Sequence, residues 1–145
     1  MKPLIILGKG YVKGKDCLDA RKDFPGFDVW TVGTHRIENA DRYYEFHGIG
    51  VACRKMTRTV SEKTRKASSF LPLNNSICIM LVEAFYEGYT DIQILGAHML
   101  IKKEYIQQRP AVAECIGWVK GMSQGKVSVS WDGEPEKVRY FDEYQ

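Results

Sequence analysis

The sequence predicts an α/β protein built on a mostly parallel open sheet with helices on both faces. Two observations predict it. Short apolar runs (PLIIL, DVWTV, RYYEF, DIQIL) alternate with helical or polar stretches along the chain. The chemically active side chains then gather where those runs stop: His35, His47 and His98 each follow one, and Gly8 and Gly10 follow the first. In an open parallel sheet, ligands bind outside the carboxyl ends of the strands.

The first strand is residues 3–7, apolar throughout, as suits a central strand buried on both faces. Gly8-Lys9-Gly10 follows as a tight turn, and a helix is expected over 15–22, ended by Phe24-Pro25-Gly26. The second strand is 28–32, broken by Gly33. Residues 37–41 read as a short connection of at most one helical turn, and 42–46 as the third strand. The segment 48–56 is ambiguous, its IGVAC core being compatible with a further strand. Residues 57–69 are basic without apolar periodicity and read as an exposed, mobile loop with at most a polar helix.

The clearest helix is 75–87. Pro72 and the Asn74-Asn75 pair start it and Gly88 stops it. Positions 77–82 are all apolar, so it is expected to be buried nearly all round. The fourth strand is 91–95. Pro110 suits the first turn of another helix reaching about Lys120, and 126–131 is the fifth strand. The simplest arrangement is a Rossmann-like sheet in the order 3-2-1-4-5, with its switch point between strands one and four. Residues 1–131 form this domain. The tail 132–145, acidic and aromatic, offers an added strand or a contact with a second copy, making a homo-oligomer one expectation.

Composition narrows the function. A chain of 145 residues with 44% hydrophobic and 27% charged residues buries a core without disulfides or metal. A net charge of +3 supports a modest attraction for anionic ligands. It is too small to imply nucleic acid by itself, and the basic 54–66 run lacks interleaved aromatics and reads as a solvated loop, so nucleic acid is not the expected partner. Cys17, Cys53, Cys78 and Cys115 form no CxxC pair, the usage of a reducing compartment, and Cys78 and Cys115 read as core residues. No leader or apolar run of membrane length is seen, so a cytoplasmic protein without a membrane partner is expected.

Candidate ligand contacts follow from strand ends. Gly8, Lys9 and Gly10 form a turn whose amides and charge suit a phosphate, or a plain strand-to-helix turn. Thr34, His35 and Arg36 follow the second strand; Arg36 either grips a phosphate or carboxylate or lies on a surface loop. Glu45 and His47 share one face of the third strand, as a base with its orienter or as a hydrogen-bonded pair fixing the sheet edge. Ser76 begins the buried helix and either holds an anion with the free amides there or caps its own backbone. His98 lies at the switch point. Arg109, in extended backbone before Pro110, reaches over the cleft or pairs with a surface carboxylate. One metal cannot collect all three histidines, because strands three and four lie about 14 Å apart in this order. No metal or cofactor is expected, and no catalytic residue can be assigned.

Two blocks also carry a resemblance. ILGKG with VWTVGTHRIENADRYYEFHG, and SICIMLVEAFYEGYTDIQILGAHM with EYIQQRPAVAECIGWVKG, resemble small uncharacterised Rossmann-like proteins common in tailed phages, over most of residues 4–131. More distantly the layout is similar to bacterial sialyltransferases, which bind a cytidine nucleotide sugar at this sheet edge. The resemblance implies a phage accessory protein in the host cytoplasm that binds a nucleotide-derived, phosphate-containing molecule. Sequestering a host immune signal of cyclic-nucleotide or ADP-ribose type is a purpose it suggests. The alternative it implies is a nucleotide-sugar-dependent glycosyltransferase, with Glu45, His47 or His98 as base. Gly33-Thr34-His35 stands where the family pattern has an asparagine, and His98 where it has an acid. These differences weigh against transfer more than against nucleotide binding.

Overall fold

A computed structural model describes residues 1–12, 18–32, 37–44, 56–57, 60–97 and 103–134. The strands are β1 (Pro3–Leu7), β2 (Leu18–Asp19), β3 (Asp28–Val32), β4 (Ile37–Glu38), β5 (Arg42–Tyr44), β6 (Met56–Thr57), β7 (Asp91–Leu95) and β8 (Ser128–Trp131). The helices are α1 (Ala20–Asp23), α2 (Glu62–Ala67), α3 (Ser76–Tyr86) and α4 (Lys103–Met122), with a 3-10 turn at Lys9–Val12.

Six strands form one sheet, in the order β6-β5-β3-β1-β7-β8, and every neighbouring pair is parallel. Numbered along the chain the order reads 6-5-3-1-7-8, which differs from the expected 3-2-1-4-5 only because more strands are counted: the five expected strands stand side by side in the expected order, as β5-β3-β1-β7-β8. Three short strands absent from the sequence reading enter the count: β6 extends one edge, and β2 and β4 pair separately as a two-residue parallel ladder. Such ladders leave no periodicity to read, because pairing across the chain and not local pattern creates them. From β1 the chain builds outward through β3, β5 and β6, then crosses to β7 and β8 on the other side. The β1–β7 pair is the point where this direction reverses.

Alternation along β1 divides the core. Leu4 and Ile6 pack on one face with Trp30, Tyr44, Ile92 and Ile94, beneath residues of α2, α3 and α4. Ile5 and Leu7 pack on the other with Val29, Tyr43, Leu18, Ile37 and Ala20. Among the described residues that second face carries the short elements: α1, the β2–β4 ladder and, through Tyr11, the 3-10 turn. Two aromatic contacts stiffen the first core. Trp30 meets Tyr89 edge-on at 5.3 Å and Tyr44 at 5.3 Å.

Several expectations need correction. Residues 18–19 are a strand, and the helix expected over 15–22 is reduced to Ala20–Asp23 among the described residues. Asp19 caps it by accepting from the Arg21 amide at 3.0 Å. The connection 37–41 opens as β4 and then turns through Asn39 at φ 58°, with no helical turn. The basic segment, expected as an exposed loop with at most a polar helix, contains the short polar helix α2, capped by Ser61, but Thr64 and Ala67 of that helix are buried and not exposed. The buried carboxylate of Glu83 on α3 accepts from the Ser61 amide at 3.0 Å, which ties the start of α2 to the core. Helix α4 starts at Lys103 and carries Pro110 inside it, not in its first turn. β8 begins at Ser128, two residues later than expected, and Phe46 of the third strand lies outside the described residues. Helix α3 starts one residue inside its expected span, with Asn75 as cap; Gly88, at φ 89°, follows its C-terminal cap, Glu87.

Candidate functional site

Parallel pairing puts the carboxyl ends of β1, β3, β5, β7 and β8 along one edge. Helix α3 runs back against them. Its last turn reaches the opposite, amino edge, where Glu87 pairs with Arg42 at the start of β5. Ser76, at the start of α3, therefore belongs to the carboxyl edge.

At the β1–β7 reversal two glycine turns interlock. The Gly8 amide donates to the Leu95 carbonyl at 2.8 Å, and the Gly10 amide donates to the Gly96 carbonyl at 2.8 Å. A Cβ on Gly8 would sit 2.7 Å from the Gly96 oxygen, and one on Gly10 would sit 2.8 Å from it. Gly96 itself stands at φ 73°, and a Cβ there would collide with the Tyr11 amide. The glycines after β1 thus serve a close backbone approach. Their two amides are spent on carbonyls, so the expected phosphate cradle at Gly8 and Gly10 cannot use them. Lys9 lies within the 3-10 turn at Lys9–Val12, where the sequence leads one to expect a tight turn.

The next contacts lead along the edge toward β8. The Asp132 carboxylate accepts from the Gly96 amide at 2.7 Å, and the Trp131 indole donates to the Ala97 carbonyl at 2.8 Å. The Arg109 guanidinium lies over the Trp131 ring, 5.1 Å from its centre. Arg109 is therefore in the second turn of α4 and not in extended backbone before a helix, a correction that follows from the earlier start of α4. It nonetheless reaches this edge, joined to the glycine turns through Trp131 and Ala97. Asp132, Trp131 and Gly96 were missed in the sequence. The Trp-Asp-Gly turn closing the last strand was the signal that could have found them.

Ser76 is half-buried in the first turn of α3. The cap is Asn75, whose side chain accepts from the Cys78 amide at 3.0 Å, so the capping role considered for Ser76 belongs to its neighbour. Thr34, His35, Arg36, Glu45, His47 and His98 lie outside the described residues. In sequence, Thr34–Arg36 begin two residues after β3, Glu45 comes directly after β5, and His98 is three residues after β7.

The amino edge holds the densest described polar network. Arg42 pairs with both carboxylate oxygens of Glu87, donates to the Tyr44 hydroxyl at 3.0 Å and lies 4.5 Å over the Trp30 ring. The Tyr89 hydroxyl donates to Asp28 at 2.6 Å, and the Lys2 ammonium sits 4.1 Å above the Tyr89 ring. Glu87 raises the Arg42 pKa, and burial pushes the Tyr44 phenol up to about 12. Each charge is matched by a neighbour within the protein, the pattern of a structural clasp. Among the described residues no group of three or more His, Cys, Asp or Glu could hold a metal ion, and no helix is long and apolar enough to cross a membrane.

Comparison of the chain with protein-family models, with curated proteins and with solved structures finds no match.

Proposed function

We propose that this protein binds a nucleotide-derived, phosphate-containing small molecule at the carboxyl edge of its sheet and holds it unchanged. One observation carries the reading: the direction of a parallel sheet reverses at β1–β7, where α/β folds leave a crevice. The segments leaving β3, β5 and β7 are those that carry Arg36, His47 and His98. Arg109 adds a cation from α4 above β8. With the Gly8 and Gly10 amides engaged, recognition of the phosphate falls to side chains: Arg36, Arg109 and His98, with the Ser76 hydroxyl at the start of α3.

The layout is Rossmann-like in this reading, and the resemblance to small tailed-phage proteins supplies a purpose: removing a nucleotide signal from the host cytoplasm. Sequestration needs affinity without turnover.

The test is calorimetry of the full chain against mononucleotides, cyclic dinucleotides, ADP-ribose and nucleotide sugars, with mass spectrometry of the recovered ligand. A ligand bound tightly and recovered intact, with affinity falling about tenfold or more in Arg36→Ala and Arg109→Ala, is expected. Absence of binding across the panel, or affinity indifferent to both substitutions, overturns the reading. A nucleotide sugar converted to free nucleotide would assign the edge to a transferase instead.

A further inference from the structure

Four aromatic rings gather where the segment after α2 meets the ends of α3 and α4. Trp118 of α4 is their hub: its ring lies 5.8 Å from that of Phe70, 5.2 Å from Phe85 and 5.9 Å from Tyr86, centre to centre. Phe70 is 57% exposed, and Met122, one turn after Trp118, is 60% exposed. The Lys63 ammonium of α2 stands 5.9 Å from the centre of the Tyr86 ring, and Lys66 is exposed on the same helix. A contiguous apolar surface of this kind, open to water and rimmed by charge, marks a place where another segment docks.

A second observation lies on α4, between these rings and β8. Gly117 is exposed inside the helix, with nothing within 4 Å of where a Cβ would sit. Nothing among the described residues requires a glycine there, and glycine weakens a helix interior. Ala113 and Gly121, one turn to either side, are exposed as well. Together they make a low saddle across the outer face of α4. At one rim stands exposed Lys120, three helical turns from Arg109 and so on the side of Trp131. At the other stands exposed Glu114, one turn before Trp118.

We propose that the segment 135–145 crosses this saddle and docks on the rings, a strap over α4 from the same chain. That segment lies outside the described residues, and its sequence matches the surface sign by sign in the direction of travel. From β8 toward α2 the surface presents Lys120, then Glu114, then the rings, then Lys63 and Lys66. From 135 onward the segment presents Glu136, then Lys137 and Arg139, then Tyr140 and Phe141, then Asp142 and Glu143. Its length fits too. Arg109 lies against Trp131, and Trp118 is nine residues further along α4, about 14 Å by helix rise and on the opposite side of the helix. Around a helix ~10–12 Å wide the surface path is about 22 Å. The ten residues from Trp131 to Phe141 span up to about 33 Å. A tether this short gives a high effective concentration, which favours the chain's own rings over those of a second copy.

Amide hydrogen exchange of the full chain, read by mass spectrometry, tests the strap. Peptides from 135–145 should exchange about tenfold or more slowly than the same segment made as a free peptide. Two substitutions outside the core should return them to the free rate: Phe141→Ser, which removes the docking ring, and Gly117→Gln, which fills the saddle where a side chain has room. Glu114→Lys should speed exchange about threefold or more, and adding Arg139→Glu should recover most of the protection. Four results each overturn the proposal. They are exchange at the free rate in the unaltered chain, protection indifferent to Phe141→Ser or Gly117→Gln, a reversed charge pair no better than Glu114→Lys alone, or protection that falls on dilution because a second copy supplies it. No nucleotide enters the measurement, so its outcome is separate from that of the proposed binding function.

Discussion

The Gly10 amide donates to the Gly96 carbonyl at 2.8 Å, stitching the turn after β1 to the turn after β7 where the sheet reverses direction. The contact exists because neither residue has a side chain. At Gly96 the backbone is in the left-handed region, at φ 73°, and the place of a Cβ is taken by the Tyr11 amide. Gly96→Ala therefore combines backbone strain with a clash against main chain that cannot rotate away. A loss of about 3 kcal/mol or more in urea unfolding is expected. Gly125→Ala is the control. It shares a positive φ, of 76°, but has open space around it, so it loses only the strain component, about 1 kcal/mol.

Arg42 and Glu87 clasp the start of β5 to the end of α3 at the opposite edge. Both side chains are about one-third exposed, and the pair is bidentate and lies over Trp30. Solvent screening limits its worth, and geometry raises it above an ordinary surface pair. Glu87→Ala should cost about 1–2 kcal/mol in chemical denaturation. Arg42→Lys should recover less than half of the loss caused by Arg42→Ala, because an ammonium supplies neither the fork nor the planar face against the indole.

The same edge predicts alkaline sensitivity. Burial raises the Tyr44 phenol to about 12, and burial with the bond to Asp28 raises that of Tyr89. In the unfolded chain both titrate near the ordinary value of about 10. The unfolded state loses these protons first as pH rises, so their stabilising effect is complete below pH ~10 and is lost as pH climbs through the raised values. Urea midpoints from pH 8 to 12 should fall from about pH 10 upward. Tyr44→Phe should flatten that fall while lowering stability at pH 8, since Arg42 loses an acceptor. A midpoint in the unaltered protein constant to pH 12 would contradict the assignment.

What the sequence revealed depended on how local each signal was. Helix α3 was legible because Asn75 and Gly88 bracket an apolar run, and both act within one turn of themselves. The start of α4 was misread because Pro110 was taken as a first-turn residue. In a helix interior a proline removes one donor and crowds the carbonyl four residues earlier. Here that carbonyl belongs to Ile106. Ile106 and Pro110 both face solvent, while Ala111, Val112 and Cys115 are buried against the core. Water can serve the orphaned carbonyl on the outer side while the inner face holds the helix together. Arg109 was misplaced as a result, though it does lie against Trp131 at the carboxyl end of β8. The glycine turn after β1 was visible, but its use was not: the carbonyls that take its amides belong to Leu95 and Gly96, 87 positions from Gly8 and 86 from Gly10.

The start of α3 separates a structural residue from a proposed binding residue one position apart. Asn75 accepts from the Cys78 amide, and its loss leaves that donor unmet at a helix start. Asn75→Ala should therefore destabilise the fold by about 1 kcal/mol, read in urea. Ser76 does not cap the helix, so Ser76→Ala should leave stability within about 0.5 kcal/mol. If an anion sits against this helix start, the Ser76 hydroxyl contributes one hydrogen bond to it, and Ser76→Ala weakens nucleotide binding about five- to tenfold. Stability and affinity should thus separate: Asn75→Ala lowers the urea midpoint, and Ser76→Ala raises Kd at an unchanged midpoint. A Ser76→Ala protein that unfolds earlier but binds as before would reverse the assignment and make Ser76 part of the scaffold.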